Sequence, residues 1–240
     1  VYCQNYQISV NSSPSPAMPL DKIVGKVLSL LDMGAKCVGF VSPSHVVPQM
    51  IEVIEAIEST GRKPVYVMNT NSYDRKETLE RLDGLIDVYL ADFKYGDDVI
   101  ALEYSGAGDY REKGVRALRE MYRQKGATVA VDNEGIIESG LIIRHLVLPN
   151  NVENSISCLR IIAEELSTSV HVSLMSQYHP VPGVMNHPKL YRPITAEEYN
   201  EVVQEFDRLG FRNGWVQDVG GESCYTPDFS CEDPFSLNLE

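Results

Sequence analysis

The tripeptide Asp92-Phe93-Lys94 is the most chemically loaded stretch of the chain. It follows the apolar run Ile86–Ala91, which reads as a buried strand. Side chains alternate faces along a strand, so Asp92 and Lys94 share one side and Phe93 takes the other. An opposite-charge pair on the inner face of a parallel strand is costly unless it pairs tightly or binds something polar. Both readings stay open on the tripeptide alone.

Similar groups follow the other predicted strands. Ser42-Pro43-Ser44-His45 comes after the first, Asn69-Thr70-Asn71-Ser72 after the second, Pro149-Asn150-Asn151 after the fifth and Ser176-Gln177-Tyr178-His179 after the sixth. In α/β folds ligands bind at the carboxyl ends of the strands, so these residues converge on one rim. Taken singly, each also suits a turn or a helix N-cap. Cys224 and Cys231, in an acidic tail, match no common zinc spacing and read as free thiols. The closing Leu239-Glu240 reads as an expression scar without function.

The elements that must position these groups show in the hydrophobic pattern. Asp21–Met33 carries Ile23, Val24, Val27, Leu28 and Leu31 on one helical face, stopped by Gly34. Cys37–Val41 is a strand, Pro48–Ser59 a helix and Pro64–Met68 a strand; Asp74 with Glu77 suggests a capping box for a helix through Leu79 and Leu82. After Ile86–Ala91 come a helix over about 111–124, strands at 127–131 and 141–148 around an Asn133-Glu134-Gly135 turn, and a helix at 153–166. A strand at 170–175, a helix at 195–209 capped by Thr195 with Glu198, and a short strand around Trp215 complete the pattern. The segment 10–19 is rich in Ser and Pro and reads as a loop. Strands spaced by helices of this length imply a parallel α/β sheet, open or closed into a barrel.

Bulk properties narrow the function classes. The 240 residues suit a single domain over 1–240, with 43% hydrophobic and 23% charged residues. A net charge of −13 argues against a nucleic-acid partner, which needs a basic face. No apolar run reaches the roughly 18–20 residues of a membrane span, and no signal peptide is evident, so no membrane partner is expected. Five scattered cysteines do not make a disulfide framework and point to a reducing cytoplasm. The chain begins at Val1-Tyr2-Cys3 without Met, which suggests a natural N-terminus further upstream.

Several ordered blocks resemble one family. They are Val1-Tyr2-Cys3-Gln4-Asn5-Tyr6, residues 40–49 (FVSPSHVVPQ), residues 69–74 (NTNSYD), residues 89–98 (YLADFKYGDD), residues 143–149 (IRHLVLP) and residues 213–217 (NGWVQ). Together they are similar to radical S-adenosylmethionine (SAM) proteins related to pyruvate formate-lyase activating enzyme. The resemblance implies a partial (β/α)6 TIM-like barrel with a [4Fe–4S] cluster and SAM at the top of the strands. It makes Cys3 the last cysteine of a Cys-x3-Cys-x2-Cys loop, whose first two members would lie upstream.

The resemblance also assigns SAM contacts to Asp92 and Lys94, to Thr70 and Asn71, to Arg144 and to His179. The family's Gly-Gly-Glu, which holds the SAM amine, is replaced after the first predicted strand by Ser42-Pro43-Ser44-His45, so Ser42, Ser44 and His45 become candidates there. Gly220-Gly221-Glu222 has the right composition for that motif but lies far from the expected strand. Ser72 stands where related sequences often carry Gly. The implied activity is reductive cleavage of SAM to a 5′-deoxyadenosyl radical, with a glycyl radical enzyme as target and a flavodoxin or ferredoxin as electron donor. Two other readings remain: a non-catalytic protein of the same fold, and a (β/α)-barrel lyase using Lys94 as a Schiff-base amine.

Overall fold

A computed structural model of the chain describes residues 1–9 and 17–220. Most of the Ser/Pro-rich loop lies outside the described residues, as do Gly221, Glu222, Cys224, Cys231, Leu239 and Glu240.

The described elements run α1 (Tyr6–Ser9), α2 (Leu20–Asp32), β1 (Cys37–Val41), α3 (Val47–Glu58), β2 (Val65–Thr70), α4 (Lys76–Arg81), β3 (Val88–Asp92) and α5 (Asp98–Ser105). They continue with α6 (Tyr110–Lys125), β4 (Ala130–Val131), β5 (Ile137–Leu146), α7 (Val152–Glu165), β6 (His171–Met175), α8 (Ala196–Leu209) and β7 (Gly214–Val216). The long helices are amphipathic with the expected period. Helix α3 buries Met50, Val53, Ile54 and Ile57, and α6 buries Tyr110, Gly114, Ala117, Leu118 and Met121.

The strands form one sheet in the order β1-β2-β3-β5-β6-β7, all neighbours parallel, with β4 pairing antiparallel to β5. The β4–β5 hairpin departs from strand–helix alternation, as does the α5–α6 pair. The hairpin turn is built by Asp132, whose Oδ1 accepts from the amides of Glu134 at 2.8 Å and Ile136 at 2.9 Å. The predicted strand at 127–131 therefore shrinks to two residues, while β5 starts four residues earlier than the pattern suggests.

Alternation divides the sheet into two unlike faces. Tyr66, Met68, Tyr89, Ala91 and Phe93 point into the apolar layer beneath the helices and are buried. Asn69, Leu90, Asp92 and Arg144 take the other face and are half-buried. Strands β1 and β6 would stand about 19 Å apart in a flat sheet, yet residues of both line one cleft of about 210 Å³. The sheet must therefore curl, with the half-buried face concave. Among the described residues β1 and β7 do not pair, so the curled sheet stays open.

Two caps differ in outcome. Thr195 and Glu198 form the reciprocal capping box expected for α8. Asp74 does not cap α4, which begins after Arg75; its carboxylate is buried and accepts from the Thr70 hydroxyl instead. Helix α5 was not visible in the periodicity, because its apolar residues are spread around it and only Ala101 and Tyr104 are buried.

Candidate functional site

The cleft lies where the strand carboxyl ends meet the N-terminal segment. Its walls carry Cys3, Ser42, Asp92, Lys94 and Arg144, together with Asn69 and Gln177. Five of the ten residues singled out from sequence thus converge on one hollow, from the N-terminal segment and the ends of β1, β3 and β5.

Register explains the charged cluster. Asp92 on β3 is aligned with Arg144 on β5, and both side chains take the concave face. The Lys94 ammonium donates to Asp92 Oδ2 at 2.8 Å. Arg144 Nε forms an ion pair with Asp92 Oδ1 at 3.4 Å without a hydrogen bond, and that oxygen is buried without a hydrogen-bond partner. Arg144 Nη2 instead donates to Met175 Sδ at 3.6 Å. The result is one carboxylate between two cations, with one acceptor oxygen uncommitted.

Cys3 reaches the cleft because its neighbours are anchored. Tyr2 packs edge-on against Tyr95, Tyr104 and Tyr178, and its hydroxyl oxygen accepts from the Tyr95 hydroxyl at 2.8 Å. Burial pushes the Tyr2 phenol well above its ordinary pKa, so it stays neutral. Gln4 Nε2 donates to the Gln177 carbonyl at 2.9 Å. Between these two anchors Cys3 is exposed.

Ser42 forms the opposite wall. It adopts the left-handed conformation, φ 51 and ψ 48, which costs a residue with a Cβ roughly 1–2 kcal/mol. Its amide donates to the Asn69 carbonyl at 2.8 Å, and the buried Pro43 follows, which together hold the turn.

The remaining candidates lie elsewhere. Ser44, His45 and His179 are exposed and do not line the cleft. Thr70 is buried on the helix-facing side; its hydroxyl donates to Asp74 and accepts from the Ser72 amide at 3.1 Å. Asn71 Oδ1 accepts from the Tyr73 amide at 3.0 Å, a local turn contact. Sequence reasoning placed Asn69 and Gln177 on the rim without giving them a contact, and missed Met175. Strand period could have singled out Asn69, since it stands two residues before Asn71 at a strand end, on the face opposite Thr70.

No family model matches the chain. Among curated proteins, an uncharacterized protein of Methanocaldococcus jannaschii is 26% identical over 212 residues, which are 85% of this chain and 57% of that protein. The chain thus spans less than two thirds of the length of the curated relative it matches. Among solved structures, a domain of pyruvate-formate lyase-activating enzyme from Bacteroides vulgatus gives a TM-score of 0.53 at 14% identity, covering 75% of this chain and 98% of that one. HydG, a maturase of the [FeFe]-hydrogenase, gives 0.56 at 11% identity over 86% of this chain and 46% of that one. HydG from Carboxydothermus hydrogenoformans gives 0.52 at 15% identity over 85% and 47%. Likeness at these identities is one of fold: an α/β architecture with a parallel sheet, similar to that of the activating-enzyme domain and HydG.

Proposed function

We propose that the chain binds SAM in the strand-end cleft and belongs to a radical SAM enzyme. The observation that carries this reading is the meeting of Cys3 with Asp92, Lys94 and Arg144 in one cleft at the carboxyl ends of a parallel sheet. The likeness in fold to an activating-enzyme domain and to HydG supports it.

The residues fit the two cofactors unequally. SAM carries an ammonium, a carboxylate, a sulfonium and ribose hydroxyls. The uncommitted Asp92 Oδ1 suits the ammonium or a hydroxyl, Lys94 and Arg144 suit the carboxylate, and Ser42, Asn69 and Gln177 add neutral partners. The cluster finds one ligand, Cys3. Among the described residues no group of three His, Cys, Asp or Glu side chains converges as a metal set, and one thiolate does not hold a cubane. Cysteines three and seven positions before Cys3 would complete the set.

A cluster held by Cys3 and two upstream cysteines would supply the one-electron reduction of SAM. The protein's part is orientation. Two cations separated by a carboxylate fix the direction of a zwitterion, and Leu146 and Met175 exclude water from one wall. Lys94 is committed to Asp92 by its ion pair, an arrangement that favours ligand binding over the Schiff-base reading. A glycyl radical enzyme as target and a flavodoxin or ferredoxin as donor belong to the same proposal. The net charge of −13 favours a basic docking face on the target, and association would then weaken with added salt.

Anaerobic reconstitution of the full gene product with iron and sulfide, followed by dithionite and SAM, tests the reading by chromatography of 5′-deoxyadenosine. Formation that is lost on Cys3→Ala supports it. No product from a preparation with four irons per chain overturns it.

A further inference from the structure

Strand β3 ends at Asp92, while its neighbour β5 continues to Leu146. The backbone of residues 93–96 therefore runs on through the core without a full ladder of strand hydrogen bonds. Each buried backbone group left unpaired would cost roughly 1–3 kcal/mol. Three buried side chains from three different elements satisfy the Phe93 and Lys94 carbonyls and the Lys94 and Gly96 amides.

Tyr110, from α6, accepts from the Lys94 amide at 3.0 Å, and its hydroxyl proton faces the carbonyls of Asn71 at 2.8 Å and Asp92 at 3.1 Å. Asn154, from α7, accepts from the Gly96 amide at 3.0 Å and donates to the Lys94 carbonyl at 2.9 Å. His145, from β5, places Nδ1 2.7 Å from the Phe93 carbonyl and Nε2 2.9 Å from Ser155 Oγ. A carbonyl only accepts, so Nδ1 carries the proton; Nε2 then accepts from the Ser155 hydroxyl. These side chains are at most 3% exposed.

Burying three polar side chains where apolar ones would pack is unfavourable unless their hydrogen bonds are made. Here five of the seven bonds go to residues 92–96, whose concave-face side chains are Asp92 and Lys94. Gly96 adds a steric constraint: a Cβ there would stand 2.5 Å from Ser157 Oγ and 2.7 Å from Ser157 Cβ, so the segment lies flush on α7.

We infer that Tyr110, His145 and Asn154 act as a clamp that positions the Asp92 carboxylate and the Lys94 ammonium for the ligand. The ligand's identity rests on the SAM reading above; the clamp does not. Binding constellations tolerate displacement of only about 0.5 Å. Removing an outer partner of this kind costs roughly 10–100-fold in affinity.

The test compares His145→Leu with His145→Asn. Asparagine sets an amide nitrogen near the position of Nδ1 and keeps the donor to Phe93, whereas leucine keeps the volume and removes it. Three quantities are read: the Kd for SAM by calorimetry, the acetylation rate of Lys94 relative to the exposed Lys22 by peptide mass spectrometry, and the thermal midpoint. His145→Leu is expected to weaken SAM roughly 10–100-fold and to change Lys94 labelling, with His145→Asn returning both to within about threefold of wild type. Tyr110→Phe, which removes only a hydroxyl, is expected to repeat the effect and serves if the leucine variant does not fold. Lys94 labelling at the wild-type rate in folded His145→Leu and Tyr110→Phe would overturn the clamp. Failure of the wild-type protein to bind SAM removes the proposed ligand, and the labelling then decides the clamp by itself.

Discussion

Asp92 and Arg144 are register partners on adjacent strands, and Arg144 Nε stands 3.4 Å from Asp92 Oδ1 with no hydrogen bond joining them. Lys94 occupies the other carboxylate oxygen at 2.8 Å. A buried oxygen left without a donor is unfavourable by itself. In the proposed SAM reading, that oxygen is the acceptor offered to a ligand donor.

Asp92→Asn keeps the shape of that side chain and removes its charge. Affinity for SAM should fall roughly 10–100-fold, the equivalent of 1.5–3 kcal/mol for a hydrogen bond to a charged group. Calorimetric titration reads the change, and an unaltered Kd would take Asp92 out of the site.

Ser44→Ala, His45→Ala and His179→Ala should leave SAM affinity within about twofold, because these side chains are exposed and stand outside the cleft. Thr70→Val behaves differently. It strips a hydroxyl from the buried Asp74 and should lower stability by about 1–3 kcal/mol in urea titrations without a matching loss of affinity.

The ten candidate positions were legible to different degrees, for physical reasons. Strand alternation placed Asp92 and Lys94 on one face, and register supplied Arg144 as their partner. Thr70 and Asn71 share a strand end with Asn69, and sequence cannot see that the Thr70 hydroxyl finds a buried carboxylate four residues on. The α8 box was readable because both of its bonds are local. Asp74 and Glu77 showed the same spacing, but Asp74 is drawn to Thr70 inside the core. The clamp left no trace in the pattern, since Tyr110, His145 and Asn154 meet only after three elements have packed. Helix α5 was silent because it buries little.

Burial drives the His145 imidazole down to about 4, with the nearby Lys94 charge acting in the same direction and the Phe93 carbonyl opposing. A folded-state pKa below the ordinary 6.5 means the unfolded chain takes up a proton that the folded chain refuses. Stability is therefore full above about pH 6.5 and declines toward pH 4, by roughly 3 kcal/mol in total from this residue. Urea midpoints collected from pH 7.5 to 4 should show the decline in the wild-type protein. In His145→Asn the part of the slope due to His145 should vanish, and equal slopes in the two proteins would contradict the assignment.

Gly96→Ala inserts a methyl group against Ser157, within 3.0 Å of the Cys158 amide nitrogen as well. Overpacking of this kind costs about 1–3 kcal/mol, and here the displacement passes to Asn154 and the Lys94 carbonyl. Stability and SAM affinity should fall together, whereas Gly25→Ala on α2, where nothing lies within 4 Å, should reduce neither. A Gly96→Ala protein as stable as wild type would refute the close approach.

The anchoring of Gln4 by Gln177 spans 173 positions of sequence. A ribosome adding about 5–20 residues per second needs roughly 10–35 s to cover that distance. Throughout that interval the ledge that seats Gln4 is still untranslated. The anchoring of Gln4, and with it the setting of the Cys3 thiol, is therefore completed only after the strand-end segment at Gln177 has been made.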